Sequence, residues 1–296
     1  MSEREITLHI GLPKTATTTI QRHLFRNADY LRDLGVDYCP DLCPIGRFKN
    51  AATHYAIAVA YCMPQAMHAQ PISVDLVRDR LSGSGRYLLS SEQFSPGNSR
   101  QIKALAADLD LPEKRRVLVT LREEVDYVRS RWMQSVKTGR GFESLWEYYS
   151  QRYKPGRRPY FERFKGWRDS GFSLVAVRYE DLRATPDATQ ALLRKLYDVA
   201  VDQERWITVK NANVSPSPDV LSRYQRIAKP LVALLGDTRA QAIKPKVYKR
   251  MHDRFCSNSF VEFLGKSTDY QAQVERIKED LESLPDIDDL QYEVFS

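Results

Sequence analysis

The chain has 296 residues, of which 42% are hydrophobic and 28% are charged. That composition is typical of a globular protein, and no run approaches the ~18 consecutive apolar residues of a transmembrane helix. A net charge of +7 and a pI of about 9.1 favour an acidic ligand. We prefer a nucleotide or an anionic saccharide to nucleic acid, because the sequence carries no nucleic-acid-binding motif.

The N-terminal stretch and the cysteines predict a cytoplasmic protein that does not associate with a membrane. MSEREITLHIG is polar and then enters a predicted strand, without the apolar segment of a signal peptide. Four cysteines are too few for a disulfide framework, and Cys39 and Cys43 have no second pair of ligands in the sequence. We therefore expect free thiols and no metal site.

Apolar, β-prone runs alternate with helical segments in the first two thirds of the chain. The predicted strands are 6–10, 86–91, 116–121 and 172–179, and the predicted helices include 17–34, closed by Gly35, and 50–63. Near-continuous apolar strands separated by helices indicate parallel crossovers buried on both faces. The sequence therefore predicts an α/β three-layer sandwich with a central parallel sheet.

The last third of the chain carries no strong strand and reads as helical. Helices are predicted from 217 to about 230, from 248 to 264 and from 270 to 284. No linker or internal repeat divides the chain. We predict a single domain over 1–296, with an α/β core over about 5–185 and a helical part over about 187–296.

The loop after the first strand has the residue types of an anion site. GLPKTATTTI combines Gly11, Pro13 and Lys14 with four threonines in five positions, followed by a helix. Backbone N–H groups of such a turn and the dipole of the helix together attract an anion. The Walker A spacing is not met, because Ala16 and Thr17 stand where its second glycine and its lysine would fall.

This loop resembles the 5′-phosphosulfate loop of sulfotransferases, written PK[ST]GTT, with Ala16 in place of the usual glycine. The resemblance implies a P-loop NTPase-like fold and 3′-phosphoadenosine-5′-phosphosulfate (PAPS) as donor substrate, with adenosine 3′,5′-bisphosphate as product and no metal. The residues that would bind the phosphosulfate are Pro13, Lys14, Thr15, Ala16, Thr17, Thr18 and Thr19.

A second motif resembles the 3′-phosphate motif of the same family. Arg122 follows the strand RVLVTL, and Ser130 lies eight residues further along, on the predicted helix REEVDYVRSRW. An arginine fork and a serine hydroxyl are suitable ligands for a ribose 3′-phosphate. Glu124 stands where the family often has proline, and we expect Arg131 to be a surface charge on that helix.

Sulfuryl transfer requires a base for the acceptor proton and a cation for the leaving phosphate. Lys14 is the predicted cation. Our first candidate for the base is Glu92, in LLSSEQF, because the catalytic His or Glu of sulfotransferases often comes from this region; capping or ion pairing is its structural alternative. His54 is the reserve base, although its Ala-rich setting favours a packed histidine.

The basic and aromatic segment QRYKPGRRPYFERFKGWR provides the candidates for the acceptor side, Arg152, Arg157 and Arg158. The leading hypothesis is a PAPS-dependent sulfotransferase that acts on a hydroxyl, or in second place an amine, of a small molecule or saccharide. The alternatives are a P-loop phosphotransferase that uses ATP and a non-catalytic module that binds nucleotides or nucleic acid.

Overall fold

The structure of the protein, a computed structural model, describes residues 4–43, 52–65, 72–137, 143–153, 161–209, 268–282 and 293–295. The chain divides into two compact units. Unit 1 comprises Met1–Arg122, Tyr160–Ala212 and Ile287–Ser296, and unit 2 comprises Glu123–Pro159 and Asn213–Asp286. The expectation of a single domain stays a prediction.

Unit 1 is built on a six-stranded sheet in which all neighbouring strands are parallel. The strands are β1 (Glu5–His9), β2 (Val36–Asp37), β3 (Arg86–Ser90), β4 (Arg115–Leu121), β5 (Ser173–Arg178) and β6 (Glu293–Phe295). Helices lie on both sides of the sheet. The predicted α/β fold with a central parallel sheet is therefore confirmed.

The described helices of unit 1 are α1 (Thr17–Arg26), α2 (Ala28–Asp33), α3 (Tyr55–Cys62), α4 (Val74–Arg80), α5 (Ser99–Asp108), α8 (Phe161–Arg168), α9 (Tyr179–Ala184) and α10 (Ala188–Tyr197). Those of unit 2 are α6 (Glu124–Lys137), α7 (Leu145–Arg152) and α11 (Thr268–Glu282). Among the described residues, no helix combines the length and the apolar character that crossing a membrane requires.

Strand order makes β1 the centre of the candidate site. The order is β2-β3-β1-β4-β5-β6, so β1 lies between β3 and β4. The chain leaves β1 towards β2 and β3 and then crosses back to β4, which reverses the direction of the connections. In open α/β sheets, ligands bind beyond the carboxyl ends of the strands at such a reversal.

The central strands of unit 1 are largely buried. β1 is buried along its whole length, as are the four central residues of β5. On one face, Leu24 of α1, Leu31 of α2 and Leu193 of α10 join Leu118 and Val175 of the sheet in one cluster. Each leucine buried in this way stabilises the fold by about 1.5–3 kcal/mol.

Unit 2 has its own apolar cluster. Its buried members include Val128 and Trp132 of α6, Tyr149 of α7 and Ile277 of α11, each at most 4% exposed. The Tyr149 hydroxyl donates a hydrogen bond of 2.5 Å to the Asp280 carboxylate, which joins α7 to α11. Burial raises the pKa of Tyr149, and this hydrogen bond raises it further. The phenol therefore stays a donor at neutral pH.

Two local predictions are wrong. The helix predicted over 17–34 is broken at Asn27, whose Nδ2 donates to the His23 carbonyl at 2.8 Å and to the Ile207 carbonyl at 3.0 Å. Ile207 N in turn donates to Asn27 Oδ1 at 2.8 Å, so a distant segment holds this residue out of the helix.

The last third of the chain also supplies a strand, β6, which pairs with β5 but has only three residues and gives no pattern in the sequence. The helices predicted over 217–230 and 248–264 lie outside the described residues.

Candidate functional site

The loop between β1 and α1 has a left-handed backbone at three positions. Gly11 has φ 46°, Lys14 has φ 77° and Ala16 has φ 61°. A left-handed residue with a Cβ is disfavoured by about 1–2 kcal/mol, so Lys14 and Ala16 both store strain. Turns that contain left-handed residues aim successive N–H groups into one concavity, which is how backbone binds anions.

Thr15 determines the shape of this loop. Its side chain is completely buried, its Oγ1 donates to the Leu12 carbonyl at 2.6 Å, and the same atom accepts from Leu12 N at 3.3 Å. A hydroxyl that closes the loop on itself in this way leaves the threonines that follow to face a ligand. We therefore assign Thr15 a role in loop conformation.

Helix α1 begins at Thr17 with an uncapped N-terminus. Ala16 is the N-cap residue, and it has no side chain that could bond the N–H groups of the first turn. Thr17, Thr18 and Thr19 form this turn, with Thr17 buried and the other two partly exposed. The Thr19 N–H donates to the Ala16 carbonyl at 2.9 Å. The first N–H groups of a helix carry the positive end of its dipole, so this turn still favours an anion. Pro13 and Lys14 are partly exposed on the loop before it.

Gly11 determines the direction of the Thr17 side chain. A Cβ on Gly11 would fall well inside van der Waals distance of Thr17 Cγ2, so the threonine methyl group occupies the space that a side chain at residue 11 would need. With its methyl group there, Thr17 donates a hydrogen bond from its hydroxyl to Glu92 Oε1. The loop after β1 and the turn after β3 therefore meet through these two side chains.

Glu92 is the first residue of the 3₁₀ turn Glu92–Phe94, directly after β3. The cap of that turn is Ser91, whose hydroxyl accepts from Gln93 N. Because β3 pairs with β1, the carboxylate of Glu92 reaches the start of α1. A carboxylate at this position can accept a proton from a group held over the loop.

Arg122 follows β4 on the other side of β1. Its Nη1 donates to the Lys14 carbonyl at 3.0 Å, and its Cζ lies 5.0 Å from the centroid of the Tyr179 ring. The stacking on Tyr179 stabilises this position by about 0.5–2 kcal/mol. Arg122 therefore holds the strained backbone of Lys14 and adds positive charge beside the loop.

Ser130 and the acceptor-side candidates lie in unit 2 or outside the described residues. Ser130 is buried on α6, with 6% of its surface exposed. Arg152 is the exposed last residue of α7, with its Cζ 5.8 Å from the centroid of the Tyr148 ring. Arg157 and Arg158 lie outside the described residues. No group of three or more His, Cys, Asp or Glu suited to a metal ion occurs in the described ranges.

Comparisons with known proteins give a distant structural likeness. No protein-family model matches the chain, and no curated protein matches it significantly. Among solved structures, the crystal structure of a sulfotransferase from Alicyclobacillus acidocaldarius is similar over 82% of this chain and 95% of its own, with 15% sequence identity and a TM-score of 0.44. Similarity at this level does not assign a function.

The structure places a group of buried polar residues behind the loop that the sequence patterns did not identify. His9, 1% exposed, has its Nδ1 2.9 Å from Ser90 Oγ, and that oxygen also accepts from Gln21 Nε2 of α1 at 3.1 Å. Burial lowers the pKa of His9 to about 4, so its imidazole is neutral at pH 7. A histidine and a serine at the ends of two buried, paired strands are the pattern that marks this network.

His54, the reserve base, uses both ring nitrogens to bind backbone. Its Nδ1 accepts from Ser90 N at 2.9 Å, and its Nε2 lies 3.2 Å from the Cys39 carbonyl, to which it donates in the matching tautomer. The side chain is completely buried, and burial lowers its pKa to about 4 against the weaker raising effect of the backbone hydrogen bonds. These contacts join β3 to the segment after β2.

Proposed function

We propose that the chain is a PAPS-dependent sulfotransferase that acts on a hydroxyl, or in second place an amine, of a small molecule or saccharide. The sequence resemblance of the loop and of the Arg122 and Ser130 motif suggests this activity. The observation that carries the proposal is the hydrogen bond between Thr17 and Glu92, because it joins a residue of the anion loop to a carboxylate.

The loop fits a phosphosulfate group in its backbone and in its charge. Its left-handed residues and the uncapped start of α1 supply N–H donors, and Lys14 supplies a cation. Thr17 and Thr18 add hydroxyl groups in the first turn. In the proposal, Arg122 binds the 3′-phosphate of the same nucleotide, and the role that the sequence resemblance implies for Ser130 stays a prediction.

Glu92 and Lys14 have complementary roles in the proposed reaction. As the acceptor oxygen forms its bond to sulfur, the bond between sulfur and the 5′-phosphate oxygen breaks. The acceptor proton passes to the Glu92 carboxylate, and the negative charge that collects on the leaving phosphate is neutralised by Lys14 and the N–H groups of the loop. A carboxylate suits this task when proton transfer is late, after the bond to sulfur has begun to form.

Binding experiments separate this proposal from the two alternatives. Isothermal titration with adenosine 3′,5′-bisphosphate, ATP and a DNA oligomer compares the three ligand classes in one assay. We expect the bisphosphate to bind tightly without Mg²⁺ and the other two to bind weakly. Preferred binding of ATP with Mg²⁺, or of DNA, would contradict the proposal.

Turnover is tested by a radiolabelled-sulfate transfer screen across alcohols, phenols and saccharides, and then by Glu92→Gln on the best acceptor. Loss of a general base lowers turnover by ~10²-fold or more, while the affinity for the bisphosphate should stay unchanged. Glu180→Gln is the matched control, since Glu180 is an exposed carboxylate in the first turn of α9. Full turnover in Glu92→Gln would show that the base lies elsewhere.

A further inference from the structure

Unit 2 contains a cluster of tyrosines around a guanidinium group. Tyr127 and Arg131 lie four residues apart on α6, and therefore on the same face of this helix. Tyr148 lies on α7, and Tyr153 is the C-cap residue of that helix. The ring centroid of Tyr153 lies 6.3 Å from that of Tyr127 and 6.2 Å from that of Tyr148. We call these three residues the tyrosine cluster.

Arg131 faces this cluster and has no acidic partner among the described residues. Its guanidinium group is hydrogen-bonded to the Tyr153 side chain and interacts electrostatically with Tyr127 and Tyr148. Its Nε is buried and has no hydrogen-bond partner within the described ranges. Arg129 on the same helix differs, because it forms an ion pair of 2.7 Å with Asp126. The expectation that Arg131 is an ordinary surface charge is wrong, since the side chain is half-buried.

A half-buried cation with no anionic partner among the described residues leaves positive potential at this place. Burial lowers the pKa of Arg131, and the negative charge that the tyrosines carry when they are ionised raises it; the net pKa is raised, so the guanidinium group remains charged. Neutral phenols and ring faces compensate only part of the desolvation of a guanidinium group. A carboxylate or sulfate would complete the compensation, because its two oxygens match the arginine fork.

The site is open to a ligand and carries a second cation. Arg131 and Tyr153 both keep part of their surface exposed. Arg152 is exposed, and its Cζ lies 5.8 Å from the centroid of the Tyr148 ring. Two guanidinium groups thus border the tyrosine cluster, whose rings offer flat apolar faces and hydroxyl groups to the body of a ligand.

We propose that Arg131, Arg152 and the tyrosine cluster bind a carboxylate or sulfate group attached to a sugar or aromatic ring. The charge comes from the two arginines, and the ring of the ligand lies against the tyrosines. This binding site stands independently of the donor chemistry. That the bound group belongs to the acceptor is a further step, which rests on the proposed sulfotransferase function.

The test is titration of the full chain with glucuronate, benzoate and glucose, with binding measured by calorimetry or by saturation-transfer NMR. We expect one or both carboxylates to bind and neutral glucose to bind much more weakly, and the two carboxylates distinguish a sugar ring from an aromatic one. Arg131→Gln should raise the dissociation constant of the bound carboxylate by about tenfold to a hundredfold, since it removes a charged hydrogen-bond donor. Arg131→Lys should lose less than Arg131→Gln but still bind more weakly than the wild type, because an ammonium group cannot form the fork.

Arg129→Gln is the matched control and should leave carboxylate binding unchanged. If Arg131→Gln does not fold, as judged by its melting curve, the exposed Arg152→Gln variant replaces it and should also weaken binding. The proposal is overturned if neither carboxylate binds, if the variants bind as well as the wild type, or if Arg131→Gln loses affinity for adenosine 3′,5′-bisphosphate. A wild-type chain that binds glucuronate but not the bisphosphate would instead refute the proposed function and leave this site standing.

Discussion

Gly11→Ala tests the coupling between the anion loop and the candidate base. The alanine methyl group would enter the space of Thr17 Cγ2, so Thr17 has to move and its hydroxyl leaves Glu92. Thr17→Ser removes that Cγ2 and retains the hydroxyl. The nearest remaining atoms to the new methyl group are then His9 Nε2 and the residue-17 Cβ, each at 3.5 Å, which are ordinary contacts.

The expected magnitudes follow from two contributions. A left-handed alanine at φ 46° lowers the unfolding free energy by about 1–2 kcal/mol, and forced overpacking against Thr17 lowers it by about 1–3 kcal/mol more. Alanine also restricts the unfolded chain, but that effect is the same in both backgrounds and cancels in their comparison. In the Thr17→Ser background only the backbone contribution remains, so the coupling energy should be about 1–3 kcal/mol.

The assay is urea denaturation of the wild type, the two single variants and the double variant. Binding of adenosine 3′,5′-bisphosphate to the same four proteins reports on the loop, and we expect Thr17→Ser to restore affinity that Gly11→Ala loses. Gly85→Ala is the control, because Gly85 also has a positive φ, of 142°, but no atom lies within 4 Å of its added Cβ. Additive stabilities of Gly11→Ala and Thr17→Ser would refute the proposed contact between residues 11 and 17.

Two further predictions concern strain and acid sensitivity. Ala16→Gly relieves a left-handed alanine at φ 61° but also gives the unfolded chain more conformational freedom, so the unfolding free energy should stay equal or rise by up to about 1 kcal/mol. The control, Ala104→Gly in the exposed middle of α5, should lower the unfolding free energy by about 1 kcal/mol. Equal losses of stability in the two variants, measured by urea denaturation, would contradict this prediction. His9 and His54 have pKa values lowered by burial from 6.5 to about 4, so the unfolded chain binds more protons than the folded one in this range. Stability should therefore fall as the pH falls from 6.5 towards 4, by up to about 3 kcal/mol for each histidine. His54→Gln should flatten this slope in urea denaturation between pH 7 and pH 4.5, and an unchanged slope would show that His54 does not contribute.

Local pattern was sufficient to predict the layered fold. The four predicted strands agree with β1, β3, β4 and β5 to within one residue at each end. Each was recognised as a mainly apolar run, which is typical of a parallel strand covered by helices on both faces. Where a long-range contact overrides the pattern, as the Ile207 backbone does at Asn27, the prediction is wrong.

The candidate site was predictable in its residue types but not in its contacts. Ala16 stands where the resembling motif has glycine, and the structure has φ 61° there, a conformation that glycine adopts without strain. The left-handed Lys14 and the stacking of Arg122 on Tyr179 left no pattern in the sequence. Lys14 is contacted by Arg122, which follows β4, and Arg122 is contacted by Tyr179, which follows β5. These residues are far apart in the chain, so local sequence patterns carry no information about the contacts.

By itself, the sequence determined which segments become strands and helices and which loop can attract an anion, because periodicity and turn chemistry depend on residues close together in the chain. Only the tertiary structure decided that β1 lies between β3 and β4, so that Glu92 and Arg122 approach the loop from opposite sides. It also decided that Arg131 faces a cluster of tyrosines. Such partners depend on strand order and helix packing, which are chosen by the total burial of the chain and not by any local pattern.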